Sequence, residues 1–312
     1  MKILHLCPSN VATGGTDSIH RLVSALCDCG ADAKILYVGK DLSNPQPKVY
    51  EKYHCEYVTS IPQDFHGMII FPDIWANQIL ADDYKGYDVA VNWQGVDVYR
   101  WHNPQNTWYN FTKRTDALHF TNMQYGIDFL KGLGLSSIKV SDCVDDAFFE
   151  PFTEEPSRRD IVLYNPVHIK MTRFQETVMA RATTELGILF TPIERLTQAQ
   201  VIEKFRKHKL YIDFGVFSGR ERLPREAVTQ GCCILTSKQG AAGYFEDNPI
   251  QDKYKLDDIE TAISMIKYIN KNYDSCKADF DFYRNSLKQD RACYFTEVEE
   301  LYGEIQHRHS GI

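Results

Sequence analysis

Short apolar runs alternate along the chain with longer stretches whose apolar residues recur every three or four positions. In the first half, residues 3–7, 33–38, 68–71, 89–92, 117–121 and 138–141 read as strands. After the first of these, Ile19, Leu22, Val23 and Leu26 follow helical spacing, with Thr16 or Asp17 as the expected cap and Gly30 closing the helix. The second half repeats the alternation. Strands are predicted at 161–165, 188–190, 210–214 and 232–236, and helices at 172–185, 198–207 and about 224–230. Helical stretches at 257–272 and 279–304 end the chain. Strand–helix alternation of this kind predicts parallel sheets covered on both faces, an α/β fold of doubly wound type. Residues 151–159 contain two prolines and no apolar period, and read as a linker.

Composition supports two folded domains. The 312 residues are 43% hydrophobic and 25% charged, ordinary values for a globular protein and far from those of a disordered, collagen-like or coiled-coil chain. Apolar runs such as Met68–Phe71 fall well short of the roughly 20 residues a membrane-spanning helix needs. The N-terminus, with Pro8 breaking it early, reads as the first strand rather than a signal peptide. Nine scattered cysteines without a C-x-x-C spacing fit free thiols in a reducing cytoplasm, and His5, His20, His119 and His168 show no metal-ligand spacing. The net charge of −7 is uneven: residues 1–155 carry 12 basic and 20 acidic side chains, residues 156–312 carry 23 and 22. Nucleic acid is therefore disfavoured as a partner, whereas a compact basic pocket for a small anion fits. The run Lys204, Arg206, Lys207 and Lys209 could make a local, peripheral membrane contact; an ordinary solvated helix face is the blander reading.

Four loops carry candidate chemistry. Residues 9–16 follow the first strand, where Gly14, Gly15 and Thr16 could bring backbone N–H groups to an anion; an ordinary tight turn is the equal alternative. In residues 211–227 a strand runs into a loop dense in charge, where Arg220, Arg222 and Arg225 offer forks for phosphate oxygens. Pro224 then opens a helix, which would put Glu226 in its first turn, facing ligand hydroxyls. Residues 237–246 form a small-residue loop around Gly240 that permits close approach. Residues 92–103 supply Trp93, Asp97 and His102 as an acceptor site, against the alternative of a loop anchored by buried tryptophans.

The stretch from Arg222 through Leu223, Pro224, Arg225, Glu226 and Ala227 to Gly231, followed by an apolar strand, resembles the donor-binding helix and strand of GT-B glycosyltransferases, nearest the GT4-like retaining group. The Gly-Gly loop after the first strand, residues 139–149, and Tyr164-Asn165-Pro166 followed by Lys170 resemble the same group. The resemblance implies two Rossmann-like domains with a cleft between them: an acceptor-side domain (1–152), a donor domain (160–280) and a C-terminal helix (281–312) packing back across both. It implies transfer of a sugar from a UDP- or GDP-linked donor to a hydroxyl of a saccharide or glycolipid, retaining and independent of metal or other cofactor. Lys170, Arg222 and Glu221 would be catalytic; Gly14, Gly15, Thr16, Ser218, Gly219, Leu223, Glu226 and Gly240 would bind the donor. The family's E-x7-E pattern is incomplete, because the position eight before Glu226 is Ser218. A nucleotide-sugar epimerase of the same architecture and a non-catalytic nucleotide- or sugar-binding protein remain as alternatives.

Overall fold

The computed structural model describes residues 1–153, 161–167 and 171–310. Its contacts divide the chain into two units, one formed by Met1–Asp142 with the chain from Ala292 onward, the other by Cys143–Arg291.

In the first unit β1 (Lys2–Pro8), α1 (Gly14–Asp28), β2 (Asp32–Val38), β3 (Tyr57–Val58), β4 (Gly67–Pro72), β5 (Asp88–Trp93), α2 (Val96–His102), β6 (Leu118–Thr121), α3 (Gln124–Gly132) and β7 (Ile138–Lys139) follow in order. The seven strands pair in parallel in the order β3-β2-β1-β4-β5-β6-β7. Every residue of β4 is buried, as its unbroken apolar run predicts for a central parallel strand. The core gathers Leu4, Leu6, Ile69, Phe71, Val91, Trp93, Tyr99 and Phe111. The edge strand β3, two residues long, has no sequence signal of its own.

The second unit contains β8 (Ile161–Tyr164), α4 (Arg173–Leu186), β9 (Leu189–Pro192), α5 (Gln198–Lys207), β10 (Leu210–Asp213), α6 (Arg222–Thr229), β11 (Cys233–Thr236), α7 (Ile259–Lys271) and α8 (Tyr273–Ala278). Its four parallel strands lie in the order β11-β10-β8-β9. A 30-residue helix, α9 (Asp281–Ser310), follows; its residues through Arg291 belong to the second unit and those from Ala292 to the first.

Two helix starts differ from the sequence expectation. Thr13, not Thr16 or Asp17, caps α1, because the Thr16 hydroxyl turns back to the Thr13 N–H and completes a capping box. Gly14 and Gly15 are thereby the first helical residues. Likewise α6 begins at Arg222, with Pro224 third in a first turn whose N–H groups need no intrahelical partner. Glu226 is therefore the fifth residue, in the second turn.

Two buried histidines are expected to make the first unit acid-sensitive. His5 Nδ1 donates to the Leu6 carbonyl at 2.9 Å and Nε2 accepts from Asn92 Nδ2 at 3.1 Å. His119 Nδ1 accepts from Trp93 Nε1 at 3.1 Å. Both rings are held neutral, burial lowering their pKa from 6.5 to about 3 for His5 and about 4 for His119. In the unfolded chain both protonate near pH 6.5, so the stability they contribute is complete above that pH and is lost as pH falls toward the folded values. About 2 kcal/mol per histidine should be gone at pH 5. All four tryptophans lie in this unit, so their fluorescence during urea denaturation reports it. An unchanged unfolding midpoint between pH 7.5 and 5 would contradict the expectation.

Candidate active site

The charged loop of the second unit forms where parallel strands end. β8, β10 and β11 run the same way, so the segments leaving Tyr164, Asp213 and Thr236 share the carboxyl end of the sheet, where α/β folds place ligands. Two of these segments are joined. Phe217 N–H donates to the Gln239 carbonyl at 3.2 Å, and Ala241 N–H donates to the Phe217 carbonyl at 2.8 Å. Gly240 sits between these bonds at φ +64° and ψ −141°, backbone that a side chain would strain. This stitch sets Ser218 and Gly219 close to Gly240.

Glu221 immediately precedes α6 without capping it through its side chain. Its carboxylate turns back on Ser218 instead, with Oε1 accepting from the Ser218 N–H at 3.2 Å and from the Ser218 hydroxyl at 3.3 Å. A carboxylate thus stands beside residue 218 although that residue carries none. One turn into the helix, Arg222 Nε donates to Glu226 Oε1. The Glu226 side chain is 4% exposed and that of Arg222 36%, so the pair presents a buried carboxylate behind a partly open guanidinium. Leu223 is half-buried against the core of the unit.

The other two arginines do not serve as the expected open forks. Arg220 is buried, and its guanidinium donates to Asp290 of α9 at 2.6 Å. Arg225 is also buried, and its Nε donates to the Glu221 carbonyl at 3.2 Å. Three members of the basic run 204–209 also have partners, on α5 and just after it. Lys207 pairs with Glu203, Arg206 donates to Gln230 at 2.7 Å, and Lys209 lies over the Tyr273 ring. Lys170 and His168 lie outside the described residues.

The first unit places its glycines at the equivalent edge. A Cβ on Gly15 would come within 2.9 Å of Gln94 Oε1, so the glycine lets this side-chain amide, which follows β5, lie against the start of α1. The Thr16 hydroxyl is engaged within the loop, contacting the Val11 carbonyl at 3.0 Å and the Tyr50 hydroxyl at 2.7 Å. The hydroxyl is thus a structural group of the loop, while the expectation for this stretch concerns its backbone N–H groups. Trp93, expected at an acceptor site, is corrected to a core residue: it is fully buried against Tyr99, Phe111 and Phe129, and offers no face to a sugar ring. Asp97 accepts from Arg100 at 3.1 Å and from the Tyr125 hydroxyl at 3.1 Å. His102 is exposed, its Nδ1–H donating to the Val98 carbonyl at 2.9 Å.

No protein-family model matches the sequence, and no curated protein is similar to it in sequence. Solved structures are similar over the whole chain. A glycosyltransferase from Rickettsia africae matches with a TM-score of 0.67 at 12% identity, over 99% of this chain and 98% of the other. A sucrose-phosphate synthase from Thermosynechococcus elongatus matches with a TM-score of 0.68 at 10% identity, over 98% of both chains. An alpha-glucosyltransferase in complex with UDP-glucose and DNA containing an abasic site matches at 0.54 and 12% identity, over 99% and 95%. The fold is GT-B.

Two carboxylates of this GT-B chain escaped the sequence reading. Asp73, just after β4, accepts N–H groups from Ile74 at 2.8 Å, Gln94 at 3.0 Å and Gly95 at 2.5 Å, which fixes the approach to α2. Asp213 is fully buried at the end of β10. A charge inside the apolar run Tyr211-Ile212-Asp213-Phe214 was the available signal.

Proposed function

We propose that this protein is a retaining, metal-independent glycosyltransferase whose second unit binds a nucleoside-diphosphate-sugar. The observation that carries the reading is the junction of loop and helix around residues 218–226. There the Glu221 carboxylate held on Ser218, the Arg222–Glu226 pair and the Gly240 loop converge at the carboxyl end of a parallel sheet. Glu226 would accept from the ribose hydroxyls. Arg222, with Lys170, would neutralise the leaving diphosphate, the main electrostatic requirement of the reaction. Glu221 would hold sugar hydroxyls in place of the carboxylate that residue 218 lacks. The first unit would take a saccharide or glycolipid hydroxyl as acceptor, with Asp97 and His102 as its candidate contacts. The glycosyltransferase folds among the similar structures, one of them holding UDP-glucose, support the class of reaction.

The test is calorimetric titration of the full chain with UDP, GDP, ADP and CMP, and then with the matching nucleotide-sugars. One nucleotide should bind selectively. Glu221→Gln should leave that affinity unchanged but weaken the nucleotide-sugar about tenfold, the value of a hydrogen bond to a charged group. Equal loss for both ligands would move Glu221 from the sugar to the nucleotide. Binding of none of the four would remove the donor-site reading.

A further inference from the structure

Asp213 has 0% exposure, between the apolar Ile212 and Phe214. A carboxylate so placed is costly unless its oxygens are hydrogen-bonded, and an apolar residue would fill the strand end more cheaply. Its hydrogen bonds reach the loop that follows, the neighbouring strand end and Tyr211 of its own strand. Oδ1 accepts from the Gly215 N–H at 3.2 Å, which turns the chain off β10 into the loop 214–221. Oδ2 accepts from the Tyr211 hydroxyl at 3.3 Å and from Asn165 Nδ2 at 3.4 Å. Burial and then the neighbouring carboxylates hold the Tyr211 phenol well above its ordinary pKa, so it remains a donor.

Asn165 continues the chain of bonds. Its Oδ1 accepts from the Val167 N–H at 3.1 Å, which fixes the amide orientation with Nδ2 toward Asp213. Gln175 of α4 secures the other side, its Oε1 accepting from the Phe214 N–H at 2.8 Å. One carboxylate therefore ties together the two stretches, 165–167 and 214–221, that leave adjacent strands β8 and β10.

We infer that Asp213 is a positioning residue of the donor site, registering the segment that leaves β8 against the loop that carries Ser218 and Glu221. The inference rests on the donor-site reading above. The chemistry makes it separable from simple packing. Asparagine at 213 has the same shape and could still accept from Gly215, but its amide would face the Asn165 amide donor to donor. Turning Asn165 over would relieve that clash only by giving up the Val167 N–H. Exchanging the two residues, Asp213→Asn with Asn165→Asp, restores the donor–acceptor match between positions 213 and 165 and keeps the Gly215 and Val167 N–H groups paired, with the Tyr211 hydroxyl turned to accept from the new amide.

The experiment is calorimetry of the full chain with UDP, GDP, ADP and CMP, at a temperature where circular dichroism shows every variant folded. Asp213→Asn should weaken the selected nucleotide about tenfold, and the exchanged double variant should recover most of that loss. A merely structural role would lower the melting temperature and leave the affinity of the folded protein unchanged, which would overturn the inference. So would loss of affinity in the double variant equal to that in the single. If Asp213→Asn does not fold, Asn165→Ala carries the test, with the same loss expected and unchanged affinity overturning it. A wild-type chain that binds none of the four nucleotides overturns the donor site itself, and the positioning role with it.

Discussion

Asp290→Ala is expected to lower the stability of the second unit by about 3–5 kcal/mol, the usual cost of leaving a buried charge without its partner. The Arg220 side chain is 3% exposed and that of Asp290 17%, and their 2.6 Å contact joins the loop before α6 to helix α9. Alanine at 290 strands the guanidinium where water reaches it poorly. Removing both charges tests this reading, because replacement of a buried pair by apolar groups is often neutral. Arg220→Met combined with Asp290→Leu should therefore recover most of the loss. Urea denaturation followed by circular dichroism measures all three variants. A loss below about 1 kcal/mol for Asp290→Ala would show that the pair behaves like an exposed one.

Glu226→Ala is expected to weaken the binding of the selected nucleotide by about 10–150-fold, corresponding to about 1.5–3 kcal/mol for hydrogen bonds to an ionised group. The carboxylate is buried in the second turn of α6 and reaches Arg222, so on the proposed donor-site reading its removal takes away both a hydroxyl acceptor and the anchor of the guanidinium assigned to the phosphates. Arg222 is open enough to rehydrate, so the fold should survive. Glu226→Gln should lose less, since one amide oxygen can still accept. Equal affinity in wild type and Glu226→Ala would place the nucleotide elsewhere.

Period and punctuation made most of the architecture legible before any coordinates. The ten runs read as strands all appear in the two parallel sheets; for the central strands the reason is that a strand buried on both faces must be apolar along its length, whereas the edge strands β7 and β9 are only partly covered. Helix α5 occupies its predicted range, residues 198–207, since Thr197 and Gln200 form a complete capping box. Helix starts were less legible where two local signals competed. Thr13 and Thr16 can each cap a helix, and the Thr16 hydroxyl is committed instead to Thr13, to the Val11 carbonyl and to the Tyr50 hydroxyl, which comes from 34 residues beyond it.

The candidate site was legible as a region but not in its parts. Residues 211–227 stood out because charge and glycine collect at a strand end. Which arginine remains open was decided by partners distant in sequence: Asp290, 70 residues away, claims Arg220, while Arg222 finds Glu226 one turn along its own helix. Trp93 shows the same division, since its pattern fits a stacking platform or, by the usual burial of tryptophan, a core residue, and packing chose the core. The sequence by itself determined ten of the strands, the two-part α/β organisation and the neighbourhood of the candidate site, because periodicity, caps and turns act over a few residues; β3, α2 (inside a stretch read as a loop), α3 and α8 were not read from it. Only the tertiary structure decided how Asp213, Glu221, Arg220 and Trp93 are used, because burial and hydrogen-bond partners are set by segments that meet through the fold.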